Sequence, residues 1–152
     1  MLTRRLATAG AGMVLAIAAA LAVPGTAHAA SCQFGTCTGK YPEDEGCDSQ
    51  ATTLDSRTDA AGDKVELRYS AACGAAWSRV TIPFGSDPYI QATAYGWPCD
   101  VNAGQRCSKI TEKGPNTDAY TQVWSPMISF TYWVQACSSP LLNGQVLCTG
   151  AH

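Results

Sequence analysis

The fold is decided by residues 65–82, which read VELRYSAACGAAWSRVTI. Apolar and polar side chains alternate on both sides of the central AACG break, a pattern typical of two half-buried strands. In an antiparallel hairpin, one register places Glu66 opposite Arg79 and Arg68 opposite Trp77. The opposite face then carries the apolar residues Leu67, Tyr69, Ala76 and Val80. Because a slip of one residue would mix the two faces, we predict this register.

Five other short segments also have strand character. Turn signals built from Gly, Pro and Asn separate them, such as Gly114-Pro115-Asn116. The predicted strands cover residues 52–57, 89–95, 119–124, 128–136 and 146–149. Since no segment of about ten residues beyond the N-terminal region has helical periodicity, the sequence predicts an all-β fold. We expect a small disulfide-stabilised antiparallel sandwich or barrel with an irregular N-terminal loop over residues 31–50.

Residues 1–29 have the three parts of a secretory signal peptide. Arg4 and Arg5 form a basic start, residues 6–23 are an apolar run, and Ala27-His28-Ala29 is a small-x-small cleavage site. We expect cleavage after Ala29, with Ala30 as the second choice, which leaves residues 30–152 as a single disulfide-rich β domain. The domain is then expected to be secreted and free of the membrane, because the cleavage site follows the apolar run directly. The general secretory route is preferred, although Arg4-Arg5 leaves the twin-arginine route open.

Eight cysteines follow the predicted signal: Cys32, Cys37, Cys47, Cys73, Cys99, Cys107, Cys137 and Cys148. An even number in an exported chain indicates a disulfide framework, whereas lipidation of Cys32 would leave an odd number of thiols. Local closure favours the pairs Cys32–Cys37, Cys47–Cys73, Cys99–Cys107 and Cys137–Cys148. The alternative of Cys32–Cys47 with Cys37–Cys73 stays open. Structural zinc is disfavoured, because the chain has no C-x-x-C pair.

Charge and histidine content exclude several classes of function. The chain has 12 Asp and Glu against 10 Lys and Arg, and two of the ten leave with the signal. This balance argues against binding to nucleic acid or to an anionic membrane, both of which need a basic face. His152 is the only histidine beyond the signal. Ser-His-Asp, Cys-His and His-zinc catalysis therefore lack their key residue.

The motifs in this chain resemble those of the YjfA-like family, small exported bacterial domains of unknown function. The matching positions are Cys32-x-x-Gly35-x-Cys37-x-Gly39-x-x-Pro42, Gly46-Cys47, Glu66-Leu67-Arg68-Tyr69-Ser70-x-x-Cys73-x-Ala75-x-Trp77-x-Arg79, Ser125-Pro126-Met127 and Cys148-Thr149. Ser125 stands where the threonine of a Thr-Pro-Met motif is expected. The resemblance implies an exported, disulfide-bonded domain, and it implies no activity, substrate or catalytic residue.

Two groups of residues are candidates for binding. The cross-strand set of Glu66, Arg68, Trp77 and Arg79 would hold a guanidinium over an indole, although the same set also serves as a stabilising ladder. Trp97, in the Gly96-Trp97-Pro98 turn, is the most suggestive of four tryptophans. Exposed aromatic rings stack on sugars or anchor a partner protein, although small domains also bury them against disulfides.

An acidic cluster and scattered carboxylates give weaker signals. Glu43, Asp44, Glu45 and Asp48 could offer oxygen ligands to calcium, but their spacing matches no EF-hand loop, and they are interpreted as a solvated turn. Carboxylate-dependent hydrolysis is judged unlikely, because such enzymes need a larger cleft than this chain can build.

The leading hypothesis is a non-catalytic extracellular module, with no cofactor and no metal, that binds cell-envelope polysaccharide or an extracellular protein. The first alternative is a secreted inhibitor of a protease or other hydrolase that presents residues 83–88 as a rigid loop. The second is a small carboxylate-dependent hydrolase.

Overall fold

Two antiparallel β-sheets pack face to face in the computed structural model, which describes residues 29–83, 91–98, 109–114, 122–138 and 145–152. The predicted all-β antiparallel fold is confirmed, and the described strands form a sandwich rather than a closed barrel. Within these ranges, none of the helical segments has the length and apolar character needed to cross a membrane. The predicted signal peptide lies outside the described residues, except for Ala29.

The first sheet is built around β3, which has neighbours on both edges. The strands are β1 (Thr52–Thr58), β2 (Lys64–Ser70), β3 (Ala75–Thr81), β6 (Gln122–Trp124) and β7 (Ile128–Ser129). Their order is β1–β2–β3, and β6 and β7 both pair with the remaining edge of β3. A short 3₁₀ turn over Phe34–Cys37 precedes the sheet in the chain.

The second sheet has the order β5–β4–β8, and the C-terminal segment extends it. Its strands are β4 (Ala92–Trp97), β5 (Ile110–Lys113) and β8 (Trp133–Ser138). Beyond β8, the amide of Ser138 donates to the carbonyl of Leu147 at 2.9 Å, and the amide of Thr149 donates to the carbonyl of Ala136 at 2.9 Å. The chain end therefore covers the backbone edge of β8, which would otherwise be open to pairing.

The β2–β3 hairpin has the predicted register, with Glu66 opposite Arg79 and Arg68 opposite Trp77. Gly74 makes the turn with φ of +57°, a left-handed conformation that favours glycine. Alternate residues of both strands face the second sheet and form the main core with residues of β4 and β8. The buried members of this core are Val65, Leu67, Ala76, Val80, Ile82, Ala92, Ala94, Val123, Ile128, Val134 and Ala136.

An irregular N-terminal loop covers the other face of β3, so this strand is buried on both sides. Trp77 is only 1% exposed, and it packs with Met127 and four cysteines of the loop and hairpin. Backbone hydrogen bonds attach the loop, because the amide of Gly39 donates to the carbonyl of Met127 at 3.0 Å and the amide of Met127 donates to the carbonyl of Lys40 at 2.8 Å. The motif residues of both halves of the chain thus meet at this layer.

Three disulfides fix this arrangement: Cys32–Cys37, Cys47–Cys73 and Cys137–Cys148. These are three of the four pairs that local closure favours, whereas Cys99 and Cys107 lie outside the described residues. The first two disulfides adjoin each other, since the sulfur atoms of Cys32 and Cys47 are 3.9 Å apart. Cys137–Cys148 links β8 to the C-terminal segment.

Several strand boundaries differ from the sequence prediction. The segment predicted over 128–136 is two strands, β7 and β8, separated by a turn at residues 130–132. Residues 146–149 contain only an isolated bridge between Cys137 and Cys148. The sequence analysis missed β5, a four-residue edge strand whose ITEK sequence has too little apolar character to stand out. Trp97 is the last residue of β4 rather than part of a turn.

The spacing between the sheets predicts the effect of adding one methyl group at Gly96. A Cβ there would lie 2.7 Å from Cγ2 of Ile128, a fully buried residue. We therefore expect Gly96→Ala to lower the free energy of unfolding by about 1–3 kcal/mol, measured by urea denaturation. Gly35→Ala is the matched control, since its added methyl meets nothing within 4 Å. Equal stability of the two variants would contradict the packing described here.

Candidate functional site

The outer face of the second sheet carries a row of aromatic side chains. Ala94 and Gly96 of β4 point toward the core, so their neighbours Tyr95 and Trp97 point outward. Trp97 lies directly opposite Trp133 of β8, and directly opposed residues share a face of the sheet. We call the row formed by Tyr95, Trp97 and Trp133 the aromatic face.

The aromatic face is partly open to solvent. Tyr95, Trp97 and Trp133 are each half-buried, whereas Thr93 and Cys137, at the other end of the same side, are buried. The ring centroids of Tyr95 and Trp97 are 6.3 Å apart, and the rings are tilted by 44°. The three half-buried aromatic residues therefore lie together at one end of the sheet.

Residues beside the aromatic face hold its geometry. The ammonium nitrogen of Lys109 lies 3.9 Å from the centroid of the Tyr95 ring, a favourable cation–π distance. Gln135, opposite Tyr95 on β8, donates from Nε2 to the carbonyl of Thr149 at 2.7 Å. These two contacts hold Lys109 and Gln135, which lie on either side of β4.

The sequence analysis singled out Trp97 but missed Trp133 as its neighbour. The two residues come from strands that are far apart in the chain, so no short-range pattern links them. The only available signal was the apolar alternation of both segments, which does not specify which strands pair.

The predicted pair of Glu66 and Arg79 forms as expected on the first sheet. Glu66 accepts from Nη2 and Nε of Arg79 at 2.7 Å, and its other oxygen lies 2.9 Å from Nζ of Lys64. Burial acts to raise the pKa of Glu66, but Lys64 and Arg79 outweigh it and hold this pKa below its ordinary value. The Glu66 carboxylate therefore forms ion pairs with two cations of the first sheet, Lys64 and Arg79.

Arg68 and Trp77 lie opposite each other as predicted. The contacts of the Arg68 guanidinium, however, are not the predicted stacking on the Trp77 indole. Arg68 donates from Nη1 to Oγ1 of Thr53 at 2.6 Å and from Nη2 to the carbonyl of Ala51 at 2.7 Å. Trp77 is closed off from solvent by the N-terminal loop. Its indole Nε1 has no hydrogen-bond partner among the described residues. In this fold Trp77 serves packing, and it is not presented to a ligand.

An exposed aromatic residue, Phe34, lies on the opposite side of the sandwich. Phe34 is 53% exposed and sits in the short loop closed by Cys32–Cys37. Its φ of +47° is in the left-handed region, where a bulky side chain is strained. The ring lies against the backbone of Gly74, because a Cβ on Gly74 would come within 2.5 Å of it.

The acidic cluster of the loop is partly paired. Glu45 lies 3.2 Å from Nζ of Lys40 and accepts a hydrogen bond from Ser31. Hydrogen bonding to Ser31 is the main cause that lowers the pKa of Glu45. Burial raises the pKa of Glu43, with Asp48 and Asp44 adding to the rise. Of the loop at residues 83–88, only Pro83 lies within the described residues.

Comparison with protein families finds a match over residues 35–137 to a family described as a protein of unknown function, DUF2690. The chain belongs to the DUF2690 family. The match covers β1 to β7 and all but the last residue of β8 in this DUF2690 domain. Comparison with curated proteins and with solved structures gives no significant match. The resemblance to the YjfA-like family remains a prediction.

The Glu66 network predicts a pH-dependent contribution to stability. Because its pKa is lowered on folding, Glu66 stabilises the fold above its ordinary value of 4.5 and loses this effect as the pH falls through its folded pKa. We expect Glu66→Gln to cost about 1 kcal/mol at pH 7, a value reduced by solvent screening at the partly exposed cations. The cost should shrink as the pH falls below 4.5 and through the folded pKa, measured by urea denaturation at each pH.

Glu112→Gln provides a control of opposite sign. Burial raises the pKa of Glu112, so the charged form is disfavoured and the neutral amide should not destabilise the fold at pH 7. A cost for Glu66→Gln that stays constant between pH 7 and pH 3 would show that the carboxylate charge does not stabilise the hairpin.

Proposed function

We propose that this DUF2690 domain is a secreted, non-catalytic module that binds polysaccharide of the cell envelope through the aromatic face. The observation that carries the proposal is the row of Tyr95, Trp97 and Trp133, held partly exposed on two paired strands. Aromatic rings combine a large apolar surface with a polar edge, which suits the alternating apolar and hydroxyl surfaces of sugars. Stacking of a sugar on these rings would remove from water the apolar ring surface that the fold leaves exposed.

The placement of the rings on strands supports an extended ligand. Tyr95 and Trp97 are two residues apart on one strand, and Trp133 is on the next, so the row runs both along and across the sheet. A short glycan chain would contact several rings at once. Rings fixed on paired strands lose little conformational entropy on binding, which favours affinity.

The disulfide framework supports an extracellular location. Three disulfides join the described cysteines, and such bonds persist in oxidising compartments. The predicted signal over residues 1–29 gives the route out of the cell.

The glycan proposal predicts the effect of removing rings from the aromatic face. Trp97→Ala and Trp133→Ala should each weaken binding to insoluble cell-wall polysaccharide by roughly 5- to 30-fold, because each loses a stacking contact of about 1–2 kcal/mol. The measurement is depletion of oxidised residues 30–152 from solution by the polymer. Thermal unfolding of each variant checks that the fold is retained.

Phe34→Ala is the matched control for this experiment. It removes an aromatic ring that is more exposed but lies on the other side of the sandwich. If it weakens binding as much as Trp97→Ala, then non-specific apolar adsorption explains the interaction. If the unchanged chain binds none of the polymers tested, the glycan function is wrong.

A second candidate function is inhibition of an extracellular hydrolase, and the loop around Phe34 favours it. A strained backbone and a disulfide-closed ring present Phe34 in one fixed conformation. A rigid loop with a central aromatic residue is suited to fill an apolar specificity pocket. In this candidate function, the 3₁₀ turn takes the presenting role that the sequence analysis gave to residues 83–88.

The inhibitor candidate makes a reciprocal prediction. Phe34→Ala should weaken inhibition of a target protease by about 30-fold or more, as expected for a hot-spot residue worth roughly 2 kcal/mol. The inhibition constant against a panel of secreted proteases is the measurement. Trp97→Ala should leave that constant unchanged, and equal losses in both variants would count against the loop as the contact.

A further inference from the structure

Two lysines lie beside the aromatic face: Lys113 is the last residue of β5, and Lys109 directly precedes this strand. Thr111 and Lys113 of β5 lie opposite Tyr95 and Thr93, so they point to the same side as the rings. Ile110 packs toward the core, which places Lys109 on that side as well, above the Tyr95 ring. Lys109, Thr111 and Lys113 are all exposed.

Three cations elsewhere in the described structure are paired with carboxylates, whereas Arg57 and Arg68, like these two lysines, have no ion pair among the described residues. Lys40 pairs with Glu45, and Lys64 and Arg79 both pair with Glu66. Lys109 and Lys113 have no carboxylate within ion-pair distance among the described residues. The strand residues on their side of β4, β5 and β8 include no Asp or Glu, because Glu112 points the other way.

This local excess of positive charge occurs on a chain with more acidic than basic residues. Among the described residues, Lys109, Thr111 and Lys113 form a cationic strip without carboxylates beside the three partly exposed rings. Each lysine attracts an anionic group that binds beside it. The strip and the rings are therefore complementary to a ligand that is both stackable and negatively charged.

We infer that the aromatic face selects an anionic glycan, a chain whose sugars carry carboxylate or phosphodiester groups. This inference rests on the proposed glycan-binding function and names its substrate class. Neighbouring strands are about 4.8 Å apart, so a glycan stacked on Trp97 places one acidic substituent within reach of Lys109 and that of an adjoining unit within reach of Lys113. The rings supply affinity for the sugar, and the lysines supply selectivity for its charge.

The test compares polymers that differ only in charge. Polygalacturonate and its carboxyl-reduced form share a sugar backbone, and a glycerol-phosphate polymer bearing sugars tests the phosphodiester source. At about 50 mM salt, the ratio of affinities for charged over reduced polymer should be roughly 5- to 20-fold, and it should fall several-fold near 500 mM, where charges are screened. Binding is measured by isothermal titration with oxidised residues 30–152.

The variant Lys109→Gln/Lys113→Gln should lower this ratio toward one. Lys40→Gln is the control, because it removes one positive charge from the remote loop, where Lys40 already pairs with Glu45. A similar fall in the Lys40 variant would mean that net charge alone sets the preference, and this overturns the inference. Thermal unfolding confirms that both variants keep the fold.

The outcomes separate the two levels of the proposal. Equal binding of charged and reduced polymers overturns the anionic selectivity but leaves glycan binding intact. Absence of binding to every polymer overturns the glycan function and the selectivity together. A preference for only the carboxylate or only the phosphodiester polymer supports the inference and identifies the acidic group that the lysines contact.

Discussion

Burial of β3 on both faces is the constraint on which the rest of the structure depends. One face of this strand packs against the second sheet, which has its own regular backbone bonding. The other face carries Trp77 and is covered by a loop that has only a short 3₁₀ turn as regular structure. Such a loop has a high conformational entropy when unfolded, so packing against one indole does not suffice to hold it. Disulfides supply the missing constraint. Cys47–Cys73, with a separation of 26 residues, lowers the conformational entropy of the unfolded chain and thereby raises its free energy by about 3–4 kcal/mol.

The covered side of the first sheet determines where a binding surface can lie. Since the loop occupies the outer face of β3, the ring of Trp77 is internal and cannot contact a ligand. On the outer face of the second sheet, by contrast, Tyr95, Trp97 and Trp133 remain half-buried rather than fully covered. The same physical requirement, a cover for apolar surface, therefore makes Trp77 structural and leaves Trp97 available.

Local patterns in the sequence predicted the hairpin well, but they did not predict what covers it. The alternation in residues 65–82 set the pairing of Glu66 with Arg79, because a shifted register would bury charge. The burial of Trp77 depends on a loop without periodicity, and Arg68 turned instead to Thr53 and Ala51, which lie on and before β1. The neighbour of Trp97 depends on pairing between distant strands, which a single sequence does not encode in its short-range pattern. Short disulfide loops, by contrast, were predictable, because nearby cysteines meet at a small entropic cost.

The rigidity of the aromatic face comes from contacts on its inner and C-terminal sides. Gly96 lets β4 approach Ile128 closely, so the strand that carries Tyr95 and Trp97 is fixed against the first sheet. Val134, next to Trp133, exchanges two backbone hydrogen bonds with His152 at 2.9 and 3.0 Å, and Cys137–Cys148 ties the same strand to the chain end. Asp55 of the first sheet accepts from the amide of Gly150 at 2.8 Å, which fixes the C-terminal segment in turn. A binding row needs such support, because rings held in one geometry retain the affinity that mobile rings would lose to ordering. The small residue at position 96 and the cross-linked chain end are therefore as necessary to the proposed function as the rings themselves.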